Sequence, residues 1–180
     1  MKIFLPAFCI SLLFISCTNT NRVNSYLIDV EKWLGKTIII PDSLSVYHED
    51  DFFCYSNNYI DTTKYHIISS IDGTCHQCME AFELWQDIIN EFSNDVQFIF
   101  IVKTHAPKQL LFIMERLHFH YPVIIDQKGA FEYLNQIDEI SNTVLTDSNL
   151  NIVLVGNPIF NKKIKDLYLK LIVDAQVVSK

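Results

Sequence analysis

The chain has 180 residues, about half of them apolar (49%), and a formal charge of -7, enough to bury one good core and too short for several. The acidic balance and the lack of clustered Lys and Arg exclude a nucleic-acid surface, since phosphate binding requires such clusters. The chain holds five cysteines, and their positions decide what each can do.

Residues 1–16 have the layout of an export signal: Lys2 gives a positive start, and Ile3 to Ile15 is apolar except for Pro6 and Ser11, a run too short to span a membrane comfortably. The run ends in Phe14-Ile15-Ser16-Cys17, which resembles a bacterial lipoprotein signal. The resemblance implies cleavage before Cys17, lipid on that cysteine, and a membrane anchor facing the periplasm. Residues 17–23 include Thr18-Asn19-Thr20-Asn21-Arg22, a short polar tether poor in core formers. The folded domain is expected over residues 24–180, with its core at about 64–173.

Val23, Leu27, Val30 and Leu34 recur at helical spacing before Gly35, a residue suited to the positive φ of a helix end. The β-branched Thr37-Ile38-Ile39-Ile40 predicts a strand that stops at Pro41, and Tyr55 to Thr63 predicts a variable loop with an edge strand. Tyr65 to Ser70 predicts a central strand, Asp72-Gly73-Thr74 a turn, and the residues from Cys75 to about Phe92 a helix. Its apolar positions Met79, Phe82, Trp85, Ile88, Ile89 and Phe92 form one stripe. The run Val96 to Val102, apolar but for Gln97, predicts a strand buried on both faces. A helix from Pro107 to about His118 follows, then a strand from Tyr121 to Asp126 and a short helix from Ala130 to Leu134. Strands over 143–146 and 152–155 joined by Asp147-Ser148-Asn149, and a last helix from about Asn161 to Val173, complete the pattern. This order predicts an α/β fold, a central mixed β-sheet flanked by helices.

With Cys9 in the signal and Cys17 lipidated, the domain keeps Cys54, Cys75 and Cys78. In an oxidising compartment the two-residue spacing makes Cys75 and Cys78 the local pair. Cys54, between Phe53 and Tyr55, reads as a buried thiol. A strand, a turn and Cys75-His76-Gln77-Cys78 opening a helix form a reactive arrangement, because the helix's unpaired N–H groups and positive end stabilise a thiolate. Cys75 is the candidate nucleophile and Cys78 the residue that resolves a mixed disulfide. His76 and Gln77 tune the pair, His76 by its charge when protonated. No spacing in the sequence collects four metal ligands, and neither a metal nor a cofactor is expected.

The motif and the β-α-β-β-α order from about Lys64 to Val173 resemble the thioredoxin superfamily, in particular membrane-tethered thiol-disulfide oxidoreductases of bacterial envelopes. The resemblance implies a thioredoxin-like fold, exchange of disulfides with envelope proteins and recharging by a separate redox partner. It also implies a substrate-facing loop made of Thr74, Asn142 and Thr143. Two positions depart from the pattern. Asn142 stands where the family has a cis-proline, and since a non-proline cis bond costs about 2.5–4 kcal/mol the bond is expected to be trans. Thr74 replaces the aromatic residue often found before the first cysteine. The alternative reading is a non-catalytic binding or assembly lipoprotein whose cysteines form a staple or a relic.

Overall fold

The computed structural model describes residues 30–48, 51–62, 65–92, 96–138 and 142–178. The expected export signal, Cys17, the tether and most of the expected first helix lie outside these residues. Within them, strands β1 (Ser45–His48), β2 (Asp51–Cys54) and β3 (Tyr65–Asp72) precede helix α1 (His76–Phe92). Strand β4 (Val96–Lys103), helix α2 (Pro107–Arg116), strand β5 (Val123–Asp126) and helix α3 (Ala130–Asn135) follow. Strands β6 (Thr143–Thr146) and β7 (Ile152–Val155) and helix α4 (Lys162–Val178) end the order.

β3 and β4 hold the middle of the sheet because apolar residues occupy both of their faces. They pair in parallel from Tyr65↔Val96 to Asp72↔Lys103, and a parallel pair requires a crossover, here α1. Alternate residues serve two cores, as a two-residue side-chain period requires. Ile67, Phe98 and Phe100 pack with Phe82, Trp85 and Tyr168 from α1 and α4. Ile68, Ile99 and Ile101 face the other way, onto Phe131, Trp33 and Ile38. β5 extends the sheet parallel to β4, β6 returns antiparallel along β3, and the full order is β2-β1-β5-β4-β3-β6-β7. The buried carboxylate of Asp126 ends β5 and starts α3 by accepting the N–H groups of Lys128, Ala130 and Phe131.

The N-terminal part departs from expectation. Residues 37–40 are not a strand: Thr37 makes an isolated bridge to Asn151, and Ile38 N–H donates to the Leu150 carbonyl at 2.9 Å. Ile38 and Ile40 are buried while Ile39 is exposed, so the β-branched triplet covers the second core and lines the outer edge of β7. Gly35 adopts φ +78° and donates its N–H to the Ile152 carbonyl at 2.8 Å. The outer strands at the opposite edge are the hairpin β1–β2, with β1 antiparallel to β5, upstream of the edge strand expected after Tyr55. Cys54, expected to be buried, is exposed and free, because all four residues of the edge strand β2 are exposed. α2 stops at Arg116, two residues short of expectation, where His118 takes φ +52°.

Candidate active site around Cys75 and Cys78

β3 ends against the end of β4, and that contact sets the turn leading to the cysteines. Gly73 donates its N–H to the Lys103 carbonyl at 2.9 Å. A Cβ at this position would lie 2.9 Å from the Thr104 Cβ and 3.0 Å from the Val102 Cγ1, so the turn approaches β4 too closely for any side chain. Asp72 closes the turn: its Oδ1 accepts the Thr74 hydroxyl at 2.7 Å and the Thr74 N–H at 2.9 Å. These two bonds hold the Asp72 carboxyl below the usual carboxylate range, with the Lys103 charge adding to them against a small opposing effect of burial.

Cys75 follows as the residue that caps α1. Its N–H donates to the Asp72 carbonyl at 3.2 Å, and its own carbonyl accepts the first helical bond, from Met79, at 3.1 Å. The Cys78 N–H points back and donates to the Cys75 sulfur at 3.2 Å. The sulfur thus occupies the place of a capping oxygen, and the donor and helix end that hold it favour its anionic form once the pair is reduced. Cys75 and Cys78 form a disulfide with Cα atoms 5.2 Å apart. Cys78 is half-buried and packs against the core under α1, which makes it the inner sulfur. His76 is exposed and directs Nε2 to Glu80 Oε1, 3.3 Å away one turn along the helix.

A cleft of about 560 Å³ opens beside the pair, and Gln77, Asn142, Trp85 and Glu132 line it with both cysteines. Asn142 is brought there by β6, through its carbonyl, which accepts the Ser70 N–H at 2.7 Å. No cis peptide bond occurs among the described residues; the bond entering Asn142 begins at Ser141, outside them. Thr143 is fully buried, with its hydroxyl 3.0 Å from that of Ser69, and Thr74 turns its hydroxyl to Asp72. Of the three loop residues expected to face a substrate, Asn142 is the one lining the cleft.

Sequence reasoning missed the far wall. Glu132 on α3 accepts from Lys103 Nζ at 2.7 Å and from the Ser70 hydroxyl at 3.2 Å, and this bond and charge raise the Lys103 ammonium pKa. Ile137, Ile159 and Phe160 also line the cleft. Nothing in their local sequence distinguishes them from ordinary loop residues, because only the tertiary fold brings them to the cysteines. Cys54 is not brought there: β1, β5 and β4 stand between its strand and β3. Among the described residues no three His, Cys, Asp or Glu side chains form a metal-holding group, and no helix is long and apolar enough to cross a membrane. His118 and His120 lie with ring centroids 6.5 Å apart outside α2.

No family model and no curated protein sequence matches the chain. Solved structures do. The thioredoxin domain of a thiol-disulfide oxidoreductase from Bacteroides vulgatus superposes with a TM-score of 0.62 at 12% identity, covering 77% of this chain and 97% of that one. A protein from Chlorobium tepidum, provisionally named thiol:disulfide interchange protein DsbE, gives 0.57 at 14% identity over 78% and 97%. A thiol:disulfide interchange protein from a Bacteroides species gives 0.54 at 14% identity over 68% and 81%. At such identities the likeness shows the fold, and the fold is thioredoxin-like.

Proposed function

We propose that this thioredoxin-fold chain is a thiol-disulfide oxidoreductase of the bacterial cell envelope, held to a membrane by lipid on Cys17. The observation that carries the reading is the Cys75 sulfur, placed at the start of α1, bonded by the Cys78 N–H and open to a cleft. In the reducing direction the Cys75 thiolate attacks one sulfur of a substrate disulfide, forms a mixed disulfide and releases the other sulfur as a thiolate. The Cys78 thiolate then attacks Cys75, frees the substrate as its second thiolate and leaves the Cys75–Cys78 disulfide. Two electrons pass to the substrate, and its thiolates take protons from solvent. The oxidising direction reverses each step.

The substrates in this reading are thiols or disulfides of envelope proteins, and a separate redox partner recharges the pair. The envelope assignment draws on Lys2, the apolar run and Cys17, and the exchange chemistry agrees with the names borne by the structurally similar proteins. The test is the reduction potential of the pair in the mature protein, equilibrated in thiol buffers and read by alkylation and mass spectrometry. A value between about -120 and -270 mV is expected of an exchange catalyst. A value below about -300 mV would make the bond a staple and the protein a binding or assembly module.

A further inference from the structure

We propose that the face formed by α3 and the strap at residues 33–40 docks on the bilayer surface, with Ile39, Tyr133 and Leu134 as the side chains that enter it. The proposal rests on the lipid anchor on Cys17 proposed above and adds the side of the domain that the anchor turns to the membrane.

Each side of α3 has its own neighbour. Phe131 is buried in the second core, and Glu132 turns to Ser70 and Lys103 at the cleft. Tyr133 and Leu134 are turned to solvent, 84% and 49% exposed. Asn135 ties the strap alongside: its Oδ1 accepts the Ile39 N–H at 2.8 Å, and its Nδ2 donates to the Ile39 carbonyl at 2.7 Å. Ile39, 55% exposed, is thereby held next to the helical turn that carries Leu134. Three large side chains stand in water on one bonded surface, an unfavourable arrangement unless something covers them. A tyrosine among aliphatic residues suits the boundary between headgroups and acyl chains, where an apolar ring and a hydroxyl both find partners.

The position of the N-terminal chain chooses the occupant. Val30, the first described residue, packs on the second core with Trp33, and Lys32 reaches Asp138, just after α3, at 3.1 Å. The route to the anchor therefore leaves the domain on this same side. From Cys17 to Val30 the chain spans at most about 45 Å when fully extended. Leu167 and Leu171 on α4 are also exposed, but α4 covers the other core. Bringing that side onto the bilayer would require the chain to run nearly straight around a domain about 40 Å across, whereas the α3 side requires no such extension. Charge does not select the lipid: Lys36, whose ammonium lies 4.5 Å from the centre of the Trp33 ring, is offset by the exposed carboxylates of Glu31 and Asp42. The contact is apolar, and neutral lipid suffices for it. Because Glu132 and Tyr133 lie about 100° apart around α3, docking leaves the cleft open and sets it beside the bilayer.

The experiment uses the lipidated protein in phosphatidylcholine vesicles whose acyl chains carry a nitroxide close to the headgroup. Cys54→Ser removes the exposed thiol, the Cys75–Cys78 disulfide stays closed, and a bimane label is placed through Tyr133→Cys or, on the opposite side, through Leu167→Cys. A docked face sinks about 5–10 Å into the boundary of headgroups and acyl chains, so the label at position 133 is expected to be quenched about fivefold more strongly than the one at 167. Adding Ile39→Ser and Leu134→Ser, both at exposed positions, is expected to bring the two values together, and Ile39→Leu to change little. Equal quenching at the two positions, stronger quenching at 167, or quenching at 133 that ignores the paired serine substitutions would overturn the docking and leave the anchor intact. So would a dimer in detergent that Tyr133→Ser dissolves, since the face would then belong to a second copy of the chain. A mature chain without the mass of a lipid on Cys17 would overturn the anchor, and the docking with it.

Discussion

Cys54 ends a strand and Cys75 follows one across a two-residue turn, and their surroundings differ at every level above the residue. Cys54 closes β2, an edge strand whose residues are all exposed, opposite Ser45 of β1. It is a free thiol, and β1, β5 and β4 separate its strand from the one that leads to the Cys75–Cys78 pair. Cys75 follows a turn that admits no side chain at Gly73 and caps α1, with Cys78 one turn in. The oriented Cys78 N–H, the helix end and a neighbouring sulfur set Cys75 apart, all of them come from the β3-turn-α1 geometry, and under the proposed function they are what make it the nucleophile.

The largest expected break in this contrast comes from the pair itself. Cys75→Ser is expected to lower turnover in an insulin-reduction assay by roughly a thousandfold or more, as removal of a nucleophile does. Cys78→Ser should leave attack possible and accumulate mixed disulfides, visible as mass adducts on Cys75. Full turnover in the Cys75→Ser protein would end the proposed mechanism.

Gly73→Ala comes next. A methyl group 2.9 Å from the Thr104 Cβ has no room without movement of β4 or the turn, and a loss of about 1–3 kcal/mol in denaturant unfolding is expected. A neutral result would show that the turn relaxes freely.

Asp72→Asn should have a smaller and pH-dependent effect. The Asp72 carboxyl is held below its ordinary value in the folded chain, chiefly by Thr74. Its contribution is therefore complete above the unfolded value of about 4 and is lost as the pH falls through the folded one. The variant should melt below the parent at pH 7 and converge with it in acid; a constant gap down to strong acid would contradict this. Cys54→Ser closes the series, with stability within about 0.5 kcal/mol of the parent and exchange rates unchanged. A maleimide that modifies Cys54 in the native oxidised protein and spares Cys75 and Cys78 would sharpen the contrast between the two sites.

The part of the fold from β3 to α4 is legible in the sequence because both of its signals are local. The stripe from Met79 to Phe92 has one period, and Val96 to Val102 is apolar but for Gln97 because both faces of β4 are buried. The reactive pair is legible for the same reason, since a turn, two cysteines and a helix are consecutive. Residues 37–40 mislead because β-branched side chains satisfy a covering strap as well as a strand. The hairpin β1–β2 escapes notice because Phe52 and Phe53 are exposed on its outer strand, so no alternation marks an inner face. The buried reading of Cys54 fails there too. Glu132 and Ile137, from α3 and the residues just after it, and Phe160, from the loop before α4, reach the cleft from two segments, and no sequence window contains them together with Cys75.

The strap over β7 bears on how the chain matures. Thr37 donates its hydroxyl to Asn151 at 2.7 Å across 114 positions of sequence, and Ile152 N–H reaches the Lys36 carbonyl at 2.9 Å. The segment synthesised among the first closes an edge formed among the last, and contacts of such separation form slowly. Until they do, β7 presents unpaired backbone to any neighbouring chain. The edge of β7 is thus protected only where the segment before β1 has docked, so loss of that segment would leave the sheet open to strand addition by another chain.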